Sequence, residues 1–421
     1  MDQDFAATRV PSLLAISNRT RERVCALVGQ HLAESGAGAP EPELVNATRE
    51  ALAIAFEELG YSGSFQRSGK PGGWSKVLFW EEAQWLLREG AKGTPERALD
   101  RLQSFVQENS VPLQRVGALW GLHPASPVPL TDSLTLVALA ELEPSDAQTA
   151  LMSSDVGGAH TFRLPKPRAA LVHKFLHRPV YRRAGDPAPV FTWDDKYFIS
   201  DLALVLVLLA DAPVLCVAEW YQTLPSVPVL GAGFGWGASL GEPRITQEIL
   251  PRVYDADRAS RHVRAFLALE PAERHRLLVA LRRLNLAWLR ERPSDIALEV
   301  GIALEALLTE PGDPNDSISY RLQIRAAVLL GGSAPERDAI AAQVSRLYAL
   351  RSAAVHGTDI DWHWRGHETV KVSSKKYTAA ELAATLEAGR QLCGRVARHL
   401  LDLGGFPNYK RLILGGAEPM V

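Results

Sequence analysis

Apolar positions recur every three to four residues in four stretches of the first 125 residues: RERVCALVGQHLAES, ELVNATREALAIAFEEL, SKVLFWEEAQWLLREG and PERALDRLQSFVQEN. This spacing predicts four helices. GAGAPEPE (36–43) and YSGSFQRSGKPGG (61–73) are rich in breakers and predict linkers or loops. Trp74, Trp80, Trp85 and Trp120 are expected to pack this region together. From Pro127 to Pro251 prolines multiply and short apolar runs appear, among them LTLVALAEL, PVFTW, KYFIS and APVLCVAEW, which predict a mixed α/β region. The most apolar stretch, Leu202 to Ala218, is interrupted by Asp211 and Pro213. It predicts a buried helix followed by a strand rather than a membrane span.

After Val253 the helical period returns and persists to Gly404. Six segments carry it: RASRHVRAFLAL, PAERHRLLVALRRLNLAWLRE, SDIALEVGIALEALLTE, SYRLQIRAAVLLG, PERDAIAAQVSRLYALRSAAVHG and TAAELAATLEAGRQLCGRVARHLLDLG. Ser294, Pro335 and Thr378 stand where helices should open, and Gly331, Gly357 and Gly404 where they should end. Between the last two helices, TDIDWHWRGHETVKVSSKKY predicts a loop or short hairpin. The fold class expected is α+β, predominantly α. Its expected parts are a helical region over 1–125, a mixed region over 126–254, a helical bundle over 255–405 and a tail over 406–421.

A formal net charge of −2 excludes coating nucleic acid or membrane by bulk charge, so any RNA contact must be local. Cys25, Cys216 and Cys393 are too scattered for a disulfide framework or zinc knuckle and are read as small buried or half-buried thiols in a reducing compartment. The start, MDQDFAATRVPSLLAIS, lacks a signal-like apolar core, and the protein is expected in the cytoplasm, off the membrane. Arginine-over-lysine usage and alanine richness fit a GC-rich bacterial genome. The glycine cluster Gly231 to Gly241 fails the phosphate-loop pattern, because no Gly-Lys-Ser/Thr follows, and Asp194–Asp195 reads as a turn. No cofactor or metal is expected.

The candidate chemistry lies in LYALRSAAVHG, where Arg351 and His356 form an R-x4-H pair. Alone the pattern is uninformative: Arg168 and His173 form a second one. Helical geometry adds context. Ile340, Val344, Leu347, Arg351, Ala354 and Val355 fall on one stripe, so a guanidinium stands where an aliphatic is expected. Such a charge needs a partner. Glu305 projects between Leu298, Ile302 and Leu308, apart from Asp295 and Glu299, which are expected to be exposed. Its cation is either Arg351 or Arg325. His356 sits at a helix C-terminus, where the macrodipole favours imidazolium, and imidazole suits proton transfer near neutral pH. Tyr348 and Ser352 flank Arg351 as supporting residues, and Trp362, Trp364 and Arg365 suggest an aromatic and basic contact for a single-stranded nucleic acid, which the resemblance below makes RNA. His363 and His367 have a metal-like spacing, but Gly366 argues against the helix it needs.

From Asp295 to Gly357 the chain resembles the ApeA-like branch of the HEPN superfamily. The resemblance rests on DIALEVGIALEALL, RLQIRAAVLL and the ending LYALRSAAVHG. It implies a bundle of four or more helices that dimerises and brings two R-x4-H motifs to one cleft. It further implies metal-independent RNA cleavage, with Arg351 on the scissile phosphate, His356 as general acid or base and 2′,3′-cyclic phosphate ends. An antiphage-defence or toxin effector is implied, with an N-terminal sensing region answering to a phage-derived trigger or a cognate antitoxin. Removal of residues 1–250 should then free or abolish toxicity. The alternative is a non-catalytic HEPN module that binds RNA or a nucleotide, or dimerises.

Overall fold

Burial at three- and four-residue spacing builds the first four helices, α1 (Asn18–Ser35), α2 (Pro42–Glu58), α3 (Trp80–Gly90) and α4 (Pro95–Glu108). Val24, Val28, Leu52, Phe56, Leu86, Leu99 and Leu102 form their common core, and Trp85 packs against it. The computed structural model describes residues 16–35, 38–59, 61–67, 74–76, 80–108, 111–143, 145–153, 166–177, 181–183, 198–223, 256–314, 316–358, 360–361 and 368–415. The side chains of Trp74 and Trp80, the Gly231–Gly241 cluster, Asp194–Asp195 and the Trp362–His367 segment lie outside the described residues.

Where a linker was expected, β1 (Tyr61–Arg67) forms and pairs antiparallel with β2 (Trp74–Lys76). A second departure is larger. The strand β3 (Val111–Trp120) follows α4 directly, inside the stretch expected to be helical. It is an inner strand of a five-stranded antiparallel sheet with β4 (Val128–Pro129), β5 (Leu134–Ala138), β6 (Ala169–His177) and β8 (Leu215–Thr223), in the order β4-β5-β6-β3-β8. A boundary at 125 would therefore cut through a sheet. β7 (Tyr181–Arg183) instead adds to β1.

One sheet face packs Val116, Ala118, Trp120, Val172 and Trp220 against Leu139 and against Leu151 of α5 (Asp146–Ser153). The other meets α6 (Phe198–Ala210). Gly117 makes room for that helix, since a Cβ there would stand 2.2 Å from Ile199 Cγ2. In the strand-like run KYFIS, Phe198–Ser200 instead open α6, because Ile199, Leu202, Ala203 and Leu206 repeat with helical spacing and are all buried.

The C-terminal helices follow the sequence closely: α7 (Ala256–Ala268), α8 (Pro271–Leu289), α9 (Pro293–Leu308), α10 (Ile318–Leu330), α11 (Ala334–Val355) and α12 (Ala379–Asp402). β9 (Thr369–Val372) and β10 (Lys375–Thr378) make a hairpin before α12. Capping boxes at Ser333–Glu336 and Thr378–Glu381 start α11 and α12. Gly331, Gly357 and Gly404 follow helix ends at φ +67, +82 and +77. Ser294 does not cap α9; it lies within its first turn and binds Asp361. Among the described residues no helix is long and apolar enough to cross a membrane.

The core of these helices does not close at residue 255. Leu202, Val205, Leu206 and Leu208 of α6 belong to the same continuous core as Phe266, Leu281, Val300, Leu347 and Leu392. Polar clasps reinforce the junction. The Asn285 amide accepts from Val214 N and donates to Val214 O, each at 3.0 Å. Arg398 donates to Leu208 O and Asp211, each at 2.9 Å. The expected tail also folds back in part: α13 (Tyr409–Ile413) buries Tyr409, whose hydroxyl donates to Leu307 O at 2.9 Å, and Arg276 lies 3.8 Å over the Phe406 ring.

His262 of α7 is buried in this same core region. Burial, with the charges of Arg258, Arg398 and Arg261 outweighing Asp402, pushes its pKa down to about 4. The folded protein therefore holds the neutral ring while the unfolded chain protonates near 6.5. Stability from this group is complete above pH 6.5 and drains as pH falls towards 4, by about 3 kcal/mol at pH 4. His262→Asn is expected to flatten that part of the profile in urea melts taken from pH 7 to pH 4; an unchanged slope would contradict this assignment.

Candidate functional site

α11 carries the candidate motif on a helix of 22 residues. Ile340, Val344, Leu347 and Leu350 are buried on its inner face. Arg351 and Ala354 are half-buried, and Val355, expected on the buried stripe, is 50% exposed in the last turn. The helix ends in a Schellman closure: His356 N–H donates to Ser352 O at 2.9 Å, Gly357 turns left-handed, and Thr358 N–H returns to Ala353 O at 2.9 Å. His356 is thus exposed on a backbone fixed by two hydrogen bonds. Ser352 serves that closure through its carbonyl. Beyond the turn Ile360 is buried, and Asp361 accepts from Ser294 N at 3.0 Å and Ser294 Oγ at 2.6 Å, tying the chain to the start of α9.

Arg351 is placed by α9. Its Nη2 lies 3.3 Å from Glu305 Oε1, with both side chains about one quarter exposed (25% and 24%). Its aliphatic stem lies on Gly301, where an added Cβ would stand 2.4 Å from Cγ and 2.9 Å from Cβ. The guanidinium carbon sits 5.6 Å from the centroid of the Tyr348 ring, a cation–π contact one turn back along α11. Arg351 Nε and Glu305 Oε1 are buried without a hydrogen bond. The ion pair therefore leaves donor and acceptor capacity unused, which a buried pair rarely does.

The other cation considered for Glu305 goes elsewhere. Arg325 donates to both carboxylate oxygens of Asp313 (2.5 and 2.9 Å), to Glu310 (3.2 Å) and to Leu308 O (2.8 Å), and lies 4.9 Å over Tyr409. It clasps the loop after α9 and holds the Asp313 carboxyl below its usual range. Arg325 is not part of the Arg351 site. Glu299, expected in solvent, is 5% exposed between Arg283 (3.1 Å) and Arg290 (3.6 Å). Those two arginines come from α8 and the α8–α9 junction, a tertiary arrangement that helical spacing does not reveal.

The second R-x4-H pair does not share this geometry. Arg168 precedes β6 and His173 lies within it, so no helix carries the two. Among the described residues no cluster of His, Cys, Asp and Glu could hold a metal ion. Cys25 and Cys216 are half-buried and Cys393 is buried, and burial pushes all three thiols up, Cys216 to about 12. A groove of about 460 Å³ between α9 and α12, lined by Pro293, Ile296, Leu382, Leu386, Glu387 and Arg390, contains neither Arg351 nor His356.

Two residues of the site went unread in the sequence. Gly301 carries a signal, a glycine inside an otherwise strong helical run, where it costs about 1 kcal/mol relative to alanine. Asp361 carries none. Comparison with protein-family models, curated proteins and solved structures gave no match to this chain.

Proposed function

We propose that this protein is a metal-independent RNA endonuclease of the HEPN type, with Arg351 and His356 as its catalytic residues. The observation that carries the reading is the seating of Arg351. A half-buried guanidinium is held by Glu305, Gly301 and Tyr348 on the same helix that presents His356 at a fixed, exposed end. Glu305 meets one guanidinium nitrogen, which leaves other N–H donors for phosphate oxygens. The RNA 2′-oxygen attacks phosphorus, the bond to the 5′-oxygen breaks, and the products are a 2′,3′-cyclic phosphate and a free 5′-hydroxyl. His356 moves a proton at the 2′-hydroxyl or the leaving oxygen, and Arg351 offsets the charge that builds on the phosphoryl oxygens.

The same reading extends to a homodimer through the C-terminal helices. It makes the protein a cytoplasmic antiphage-defence or toxin effector that answers to a phage-derived trigger or a cognate antitoxin. Incubation of purified protein with labelled tRNA and mRNA in EDTA tests the chemistry. The wild type should cleave and leave 2′,3′-cyclic phosphate ends, and an Arg351→Ala/His356→Ala double variant should not. Equal cleavage by both proteins, or its loss to EDTA, overturns the proposal. RNA binding without cleavage favours a non-catalytic module.

A further inference from the structure

The β9–β10 hairpin places two lysines where sheet chemistry disfavours them. Lys371 and Lys376 are directly opposed in the strand register, both exposed, and neither forms an ion pair among the described residues. Like charges directly opposed across an antiparallel pair destabilise it. The alternate positions hold the hairpin down: Val372 and Tyr377 are buried in the bundle core. Lys371 and Lys376 therefore share the outer face. Ser373 and Ser374 make the turn, with Ser373 at φ +53, and Lys375 lies 4.6 Å from the Tyr377 ring. Two carboxylates stand nearby: Glu381 is taken up by its capping box with Thr378, and Glu368 is exposed where the hairpin begins.

α11, which bears the candidate catalytic residues, carries a further cation beside the hairpin. Arg346 is exposed on α11, which packs against β9 of the hairpin, and its charge opposes the rise that burial gives the Tyr377 phenol. Ten residues separate Arg346 from His356, roughly 15 Å along the axis and about 80° around it. A strand lying on the hairpin and on Arg346 has that distance to follow along α11 to reach His356.

We propose that Lys371, Lys376, the Ser373–Ser374 turn and Arg346 form a binding surface for the phosphodiester backbone of RNA. The surface feeds the site at Arg351 and His356, and this part rests on the cleavage reading above. Phosphates between the opposed ammonium groups turn a repulsive pair into a bridged one, and the contact is indifferent to base sequence. The solvated-face alternative makes the opposite forecast for one substitution. Lys371→Glu places opposite charges across the hairpin, so the fold should be held as well or better, whereas RNA affinity should fall.

The test is fluorescence anisotropy with a labelled 20-nucleotide single-stranded RNA, titrated at several salt concentrations. The full chain carries His356→Ala so that no RNA is consumed, with and without Lys371→Glu or Lys376→Glu. Each lysine substitution should weaken binding about tenfold and reduce the slope of log affinity against log salt by about 0.7, with the melting temperature unchanged or raised. Unchanged affinity and slope overturn the proposal, as does a full chain that binds no RNA. Loss of binding to phosphatidylserine vesicles, with RNA binding retained, would make the face a lipid contact and also overturn it. Because binding is read without turnover, an inactive wild type would defeat the cleavage reading while leaving this surface standing.

Discussion

His356→Ala is expected to slow RNA cleavage by about 10²–10⁴-fold, the usual contribution of a positioned proton-transfer group, with no change in melting temperature. The ring is exposed, and the helix end that holds it is closed by backbone hydrogen bonds that alanine preserves. Arg351→Ala should cost about 10²–10³-fold, the range seen when one donor to a developing oxyanion is removed. It should also lower stability, because it strands Glu305 beside an empty half-buried seat. Single-turnover rates with urea melts separate the two effects. Glu305 and Arg351 should be coupled in a double-mutant cycle by about 0.5–3 kcal/mol, as contacting residues are. Additive energies would remove Glu305 from the site. Gly301→Ala gives an independent check, since its methyl would overlap the Arg351 stem. Cleavage should fall although residue 301 offers no polar group to RNA; an unimpaired variant would mean that the seat does not fix the guanidinium.

The legible and illegible parts of this molecule differ in what sets them. From α7 to α12 every helix was readable, because each has a buried stripe of its own, and α11 and α12 open with capping boxes. The Arg351–Glu305 pair was half readable: spacing put both on inward faces, but only packing decided between Arg351 and Arg325. β3 was misread because its neighbours on both sides, β6 and β8, lie at least 49 residues away in sequence, and a central strand buried on both faces shows no alternation. Glu299 was misplaced for a related reason. On a helix enclosed on nearly all sides, an acidic residue is exposed only if no cation reaches it, and Arg283 and Arg290 do. Tyr409 lies past Gly404 in a short helix that Asn408 caps and Gly415 ends, and these local signals mark a helix without marking one that docks.

Expressed alone, residues 256–415 are expected to aggregate or to melt without cooperativity, although they hold the whole R-x4-H site. The helix that would be lost, α6, is shared. It packs against α7, α8 and α12 on one side and against β3 and β8 on the other. Leu202, Val205, Leu206, Val207 and Leu208 are each at most 1% exposed. Burying one large aliphatic side chain contributes roughly 1.5–3 kcal/mol. Five such residues, even with half their contacts credited to the sheet, give about 4–8 kcal/mol on the bundle side, comparable to the 5–15 kcal/mol that keeps a domain folded. The loss of Arg398–Leu208 and Asn285–Val214 adds unpaired polar groups on α8 and α12. Gel filtration and a thermal melt of the fragment decide the matter, and a monodisperse, cooperatively melting 256–415 would show that α6 is dispensable. If the fragment does collapse, absence of toxicity after deleting residues 1–250 reports lost folding and says nothing about sensing. Regulation by the N-terminal region is then better probed by substitutions at the Arg398–Asp211 clasp, which loosen the junction while leaving α6 in place.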